Sequence, residues 1–152
     1  MNKNEKTINV IFLITLGVVF LALIAVVLIE IFNPFGIKKI SQLPTTTVEK
    51  CLTQEKNTKY YVVLYDPNDL DNDNIQKTLI EYHLAKEKDD SLISLYMLDY
   101  TKADPEAVSN IVSDVVSVDN LPYMFIVSSG SVSTKYNTSS KICNALVEAM
   151  EK

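Results

Sequence analysis

Residues 8–29 of this chain contain no charged side chain and only scattered polar ones, Asn9 and Thr15. No other feature constrains the fold so strongly. Twenty-two residues in a helix span roughly 33 Å, enough to cross a hydrocarbon core of roughly 30 Å. The stretch is apolar on every face, whereas a helix against a globular core is apolar on one. It exceeds the apolar core of a signal peptide, and its flank IEIFNPFGIKK lacks the small residues that cleavage requires. The sequence predicts an uncleaved single-pass anchor. A short tail covers 1–7, a transmembrane helix 8–32, a linker 33–44 and a folded domain 45–152. The lipid bilayer is the first partner expected. Lys3 and Lys6 precede the span and Lys38 and Lys39 follow it, so the positive-inside rule leaves the orientation open.

From Asn33 onward the chain carries twelve lysines against seventeen acidic residues. That balance, with no basic stripe, argues against nucleic acid as a partner. Arginine is absent throughout, a compositional hint of an AT-rich bacterial genome. His83 is the single histidine, which excludes metal clusters of several histidines, and its mid-helix place beside Tyr82 suggests an exposed or partly packed residue. Asp69, Asp71 and Asp73 alternate like the start of a calcium loop. An EF-hand counted from Asp69 would need Gly at position 74 and Glu at 80, where Asn74 and Ile80 stand. No metal or other cofactor is expected. Asn137-Thr138-Ser139 fits a glycosylation acceptor, relevant only in a eukaryotic secretory pathway.

The folded part is organised around KYYVVLYDPNDLDNDN, residues 59–74. Tyr60 to Tyr65 reads as a strand buried on both faces. Asp66-Pro67 breaks it into an acidic loop, and a helix follows over about 75–86, with Ile75, Leu79, Tyr82 and Ala85 inward. Upstream, Thr46 and Glu49 fit a capping box opening a helix with Val48, Cys51 and Leu52 on one face. Downstream, 91–99 reads as a second strand. Asp104-Pro105 starts a helix carrying Val108, Ile111, Val112 and Val115. Leu121-Pro122 leads into a third strand over 123–127, a turn at Ser128-Ser129-Gly130, a polar edge strand over 131–136 and a helix over 140–150, with Ile142, Leu146 and Ala149 inward. The order is α-β-α-β-α-β-β-α. Helices between strands imply parallel pairs, with one antiparallel hairpin, in a mixed α/β sheet flanked by helices.

Those segments resemble the thioredoxin fold family. KYYVVLYDPNDLDNDNIQKTL is similar to its strand, active-site loop and second helix. LISLYMLDYTKADPEAVSNI is similar to its next strand and helix. LPYMFIVSSGSVSTKY with SSKICNALVEAM is similar to the cis-proline, hairpin and last helix. The resemblance covers about residues 45–150 and makes Pro122 the candidate cis-proline. It implies a thioredoxin-like domain and, joined to the single N-terminal transmembrane helix read from the uncharged run, a place for that domain outside the cytoplasm at the cell membrane.

The chain departs from the redox members of that family. Where they carry Cys-x-x-Cys, this sequence reads Asn68 to Asp71, and its two cysteines, Cys51 and Cys143, lie elsewhere. Dithiol exchange needs a thiolate and a resolving thiol, and aspartate supplies neither. The resemblance also sets the first and last helices on opposite faces of the sheet, which disfavours a Cys51–Cys143 disulfide. In the family, the loop after the central strand and the cis-proline turn together bind extended peptide. The corresponding surface here is Tyr65, Asp66, Asn68, Asp69, Leu121, Pro122 and Tyr123. The expected function is therefore a non-catalytic, membrane-tethered interaction module, an accessory subunit in secretion or envelope assembly whose partner is another protein or peptide. Two other readings compete. One is an atypical thiol oxidoreductase using Cys51 or Cys143. The other is a structural membrane subunit working through its span, although Gly17, the span's single glycine, offers no GxxxG motif.

Overall fold

The computed structural model describes residues 3–32, 36–56, 58–69 and 73–152, with side chains over 12–28 in the first helix and from Asn74 in the second. The linker residues Asn33, Pro34 and Phe35, and the loop residues Leu70, Asp71 and Asn72, lie outside the described residues. Two units emerge, Met1–Gly36 and Ile37–Lys152. The first is one helix, α1 (Lys3–Phe32), whose side chains over 12–28 are exposed throughout. Its described apolar run covers about 26 Å at the α-helical rise, so among the described residues no helix is long and apolar enough to cross a membrane.

The second unit is built on β1 (Lys59–Tyr65). Its six residues after Lys59 are all buried, because alternate side chains feed two separate cores. Tyr61, Val63 and Tyr65 face α2 (Asp73–Lys88) and α4 (Ser139–Met150), meeting Ile75, Leu79, Tyr82, Ile142 and Leu146. Tyr60, Val62 and Leu64 face α3 (Pro105–Val112), meeting Val108, Val112 and Cys51. Each fully buried Val or Leu contributes about 1.5–3 kcal/mol. The doubly buried strand is thus the main source of cohesion.

β2 (Ser94–Asp99), β3 (Tyr123–Ser128) and β4 (Ser131–Tyr136) complete a sheet of order β2-β1-β3-β4. β1 pairs parallel with β2, as expected for a strand-helix-strand unit. β3 runs antiparallel to β1, with Leu64 opposite Tyr123, against the expectation of parallel pairing. The reason lies in the connection. α3 is only eight residues long, and the chain turns back at Ser113, which is left-handed at φ 53°. The segment up to Pro122 then returns to the end of the sheet from which β2 left. The same turn removes Val115 from the helix and leaves it 78% exposed, while Val116 is buried in its place.

The helix expected near Thr46 is absent. Met97 N donates to Pro44 O (2.7 Å) and Thr46 N to Met97 O (2.9 Å), which ties the chain to the outer edge of β2. Only isolated turns follow, closed by Cys51 N to Thr47 O (2.8 Å) and Thr53 N to Lys50 O (2.9 Å). Backbone pairing with the sheet has outcompeted the capping box. β2 also starts later than expected, because Asp89 accepts from Ser91 N (2.8 Å) and holds a turn there. The hairpin at Ser129 and Gly130 takes positive φ at both positions (52° and 76°), as a tight two-residue hairpin requires.

Candidate functional site

The ends of β1 and β2 and the start of β3 meet at one rim of the sheet. The β1–β3 register sets Leu64 opposite Tyr123, so Tyr65 and the turn after it lie beside Leu121 and Pro122. The Leu121–Pro122 peptide is cis. Asp66 shapes its own turn: its Oδ1 accepts from Asn68 N (2.8 Å), and its carbonyl accepts from Asp69 N (3.2 Å). That is the chemistry expected of Asp ahead of Pro in a turn. On the facing side, Ser117 N donates to Asn120 Oδ1 (2.8 Å) and Leu121 N to Val118 O (3.2 Å). The Leu121 amide is therefore already engaged, and an incoming strand would compete with that long bond.

The seven residues singled out from sequence divide in two. Asn68 and Asp69 are exposed, while Asp66, Leu121 and Pro122 are half-buried at the rim. Tyr65 and Tyr123 are buried, one in each core, and do not contribute surface. The Tyr123 hydroxyl donates to Asp114 Oδ2 (2.9 Å), and burial together with that carboxylate raises its pKa. Burial, with Asp99 close by, raises Tyr65 as well.

Asp99, at the end of β2, is a rim residue the sequence reading missed. Burial pushes its carboxyl up, but bonds from Lys102 Nζ (2.7 Å), Thr101 N (3.0 Å) and Thr101 Oγ1 (2.6 Å) outweigh that and hold it below the usual range. The β1–β2 register sets it beside Tyr65, a placement that its own strand, SLYMLD, does not announce.

Neither cysteine reaches the rim. Cys51 packs among the residues facing α3, donates its thiol to Val48 O (3.2 Å), and is pushed by burial to a pKa of about 11. Cys143 is half-buried against the opposite core, and both are free thiols. The opposite-face expectation for these two therefore holds. His83 is partly packed and lies 3.6 Å from Glu87. Asp71 and the Asp73 side chain lie outside the described residues, and among the described residues no group of His, Cys, Asp and Glu is placed to hold a metal.

No family model and no curated protein matches the sequence. Solved structures do. A designed protein superposes with a TM-score of 0.51 at 17% identity, over 70% of this chain and 96% of that one. A putative oxidoreductase with a thioredoxin fold gives a TM-score of 0.50 at 11% identity, over 77% and 92%. A structure described for the thiol resolving mechanism in yeast mitochondrial 1-Cys peroxiredoxin gives 0.50 at 10% identity, over 73% and 99%. At such identities the likeness defines the fold alone: a mixed α/β, thioredoxin-like fold.

Proposed function

We propose that this chain is a membrane-tethered, thioredoxin-like interaction module that holds a partner protein at the β1–β3 rim without dithiol chemistry. The observation that carries this reading is the rim itself. The Asp66 turn and the cis Leu121–Pro122 turn adjoin, in a chain with no cysteine between positions 51 and 143. What the rim offers is an acidic turn and a half-buried Leu-Pro step, suited to an extended segment of a partner. An oxidoreductase relying on Cys51 is disfavoured, since a buried thiol with a raised pKa is a poor nucleophile. The tether rests on the uncharged run over 8–29 and on the helix Lys3–Phe32 that contains it. With the domain outside the cytoplasm, the module would serve a secretion or envelope assembly as an accessory subunit.

Two experiments test this. Affinity capture from membranes, with the full chain as bait, should lose its specific partner when Asp69→Lys and Leu121→Ser are combined; capture identical to wild type contradicts the rim. Resistance of the full chain to alkaline carbonate extraction is expected of a spanning tether, and complete extraction contradicts it.

A further inference from the structure

A buried tyrosine hydroxyl normally finds a hydrogen-bond partner. Five of the eight tyrosines here donate to a protein oxygen: Tyr60, Tyr82, Tyr96, Tyr100 and Tyr123. Tyr65 belongs to the rim already described. The other two, Tyr61 and Tyr136, line one open groove of about 450 Å³ beside α4. Tyr61 is only 6% exposed, yet its hydroxyl has no hydrogen-bond partner among the described residues. No side-chain oxygen or nitrogen sealed from solvent there lacks a partner, so this hydroxyl opens outward. The openings it has are the groove and an adjoining hollow of about 240 Å³, which Tyr61, Ala149 and Lys152 also line. Burial, with Tyr136 close by, raises the Tyr61 pKa, so the phenol keeps its proton and can donate it.

α4 supplies the facing wall. Lys141, Ala145, Glu148 and Ala149, with Asn144, recur at spacings of three and four and so share one helical face. Asn144 and Glu148 are exposed and have no hydrogen-bond or ion-pair partner among the described residues. Lys141 commits one of its three donors to Asn137 Oδ1 (3.2 Å) and keeps the others. Lys135, on the β4 side, has its ammonium engaged with Ser113 O (3.2 Å).

We propose that this groove binds a short, neutral saccharide. Three observations select that class. The first is the mixture of groups. The phenols and the Asn144 amide both donate and accept, Glu148 accepts and Lys141 donates. Sugar hydroxyls, which do both, can use all of them. The second is charge. Lys141 and Lys152 stand with Glu148, and Asp89 lines the adjoining hollow, so neither an anion nor a cation is favoured. The third is polarity. Apart from Ala145 and Ala149, every residue lining the groove carries a polar side-chain group, so an apolar ligand would gain little there. The volume lies within the roughly 300–1,000 Å³ of small-ligand sites. The groove is also distinct from the rim. Tyr61 lies three residues before Leu64, about 10 Å back along β1. Binding here does not depend on a partner at the Leu121–Pro122 turn.

The test is nuclear magnetic resonance of the full chain with isotope-labelled tyrosine rings, in micelles of a detergent that has no sugar head group. Cellobiose, maltose and diacetylchitobiose are each titrated to about 50 mM. At least one should shift Tyr61 and Tyr136 saturably, with a midpoint of about 10 mM or below, while Tyr60 and Tyr123 in the α3-side core stay fixed. Tyr61→Phe removes a hydroxyl that has no protein partner and keeps the ring that packs edge-on against Tyr82, so the domain should stay folded, as unchanged Tyr60 and Tyr123 signals would show. Read from Tyr136, it should weaken binding about threefold to tenfold, and Glu148→Gln should do the same. Glu106→Gln on α3 should change nothing. No saturable shift with any of the three sugars, unchanged affinity in both groove variants, or tighter binding of hexanoate, inorganic phosphate or trialanine at the same two tyrosines would overturn the proposal.

Discussion

Tyr60→Phe removes one oxygen atom and should cost the domain a large part of its stability. The Tyr60 hydroxyl donates to Cys51 O (3.0 Å) and accepts from Gln54 N (3.2 Å). It is the pin that fastens the turns after Thr47 to the central strand, and the tyrosine is fully buried. Phenylalanine keeps the packing, including the edge-to-face contact with Tyr96 at 5.6 Å. It leaves a buried carbonyl and a half-buried amide without their partner. A buried group so orphaned costs about 1–3 kcal/mol, and Gln54, nearer the surface, recovers part of its loss from water. The expected total is about 2–3 kcal/mol. With a slope of about 1.5 kcal/mol per molar urea, the midpoint falls by about 1–2 M. Near-UV tyrosine dichroism of the full chain in micelles follows the domain without interference from α1. Cys51, which those turns bury, should also alkylate faster in the variant. A midpoint within about 0.3 M of wild type, with Cys51 still protected, would refute the argument that this hydroxyl holds the segment.

Other outcomes follow from the same coordinates. Burial raises the Cys51 pKa from 9.0 to about 11. The folded state thus prefers the neutral thiol; its contribution is full below pH 9.0 and is lost as pH rises towards 11, so alkaline unfolding should shift upward in Cys51→Ala. At pH 8 a folded-state alkylating reagent should modify Cys143 well before Cys51, and the reverse order would contradict the burial of Cys51. The lowered pKa of Asp99 predicts the opposite sign: its contribution is complete above the usual carboxylate value of 3.8 and is lost as pH falls below it. Asp99→Asn should therefore cost about 1–2 kcal/mol at neutral pH and less in acid, as read from urea midpoints. Leu146→Ala should cost about 2–5 kcal/mol and Val115→Ala less than about 0.5 kcal/mol, since one is buried and the other lies past the helix end.

Much of this fold was legible in the sequence because its strongest signals are local. A continuous apolar run announced β1 and its two-sided burial. Asp104-Pro105 fixed the start of α3, and Ser129-Gly130 gave the hairpin. The segment near Thr46 was misread because its competing partner, the Met97 backbone, is remote in sequence. The direction of β3 escaped for a similar reason. It depends on where the chain turns at Ser113, a single left-handed serine that periodicity does not register. At the rim, types of residue were readable but exposures were not. Tyr65 and Tyr123 look like surface aromatics beside an acidic loop, yet the pleat directs one into each core. Asp99 became visible only when parallel pairing set it next to Tyr65.

The most direct test of the central claim is site-specific photo-cross-linking in cells. Use the full chain with Cys51→Ala and Cys143→Ser, and place the cross-linking residue at position 69, position 121 or, as control, position 106 on α3. The account predicts capture of the same partner protein from 69 and 121, none from 106, and yields equal to those obtained with both cysteines present. Loss of capture in the cysteine-free chain, or equal capture from position 106, would contradict a thiol-independent binding rim.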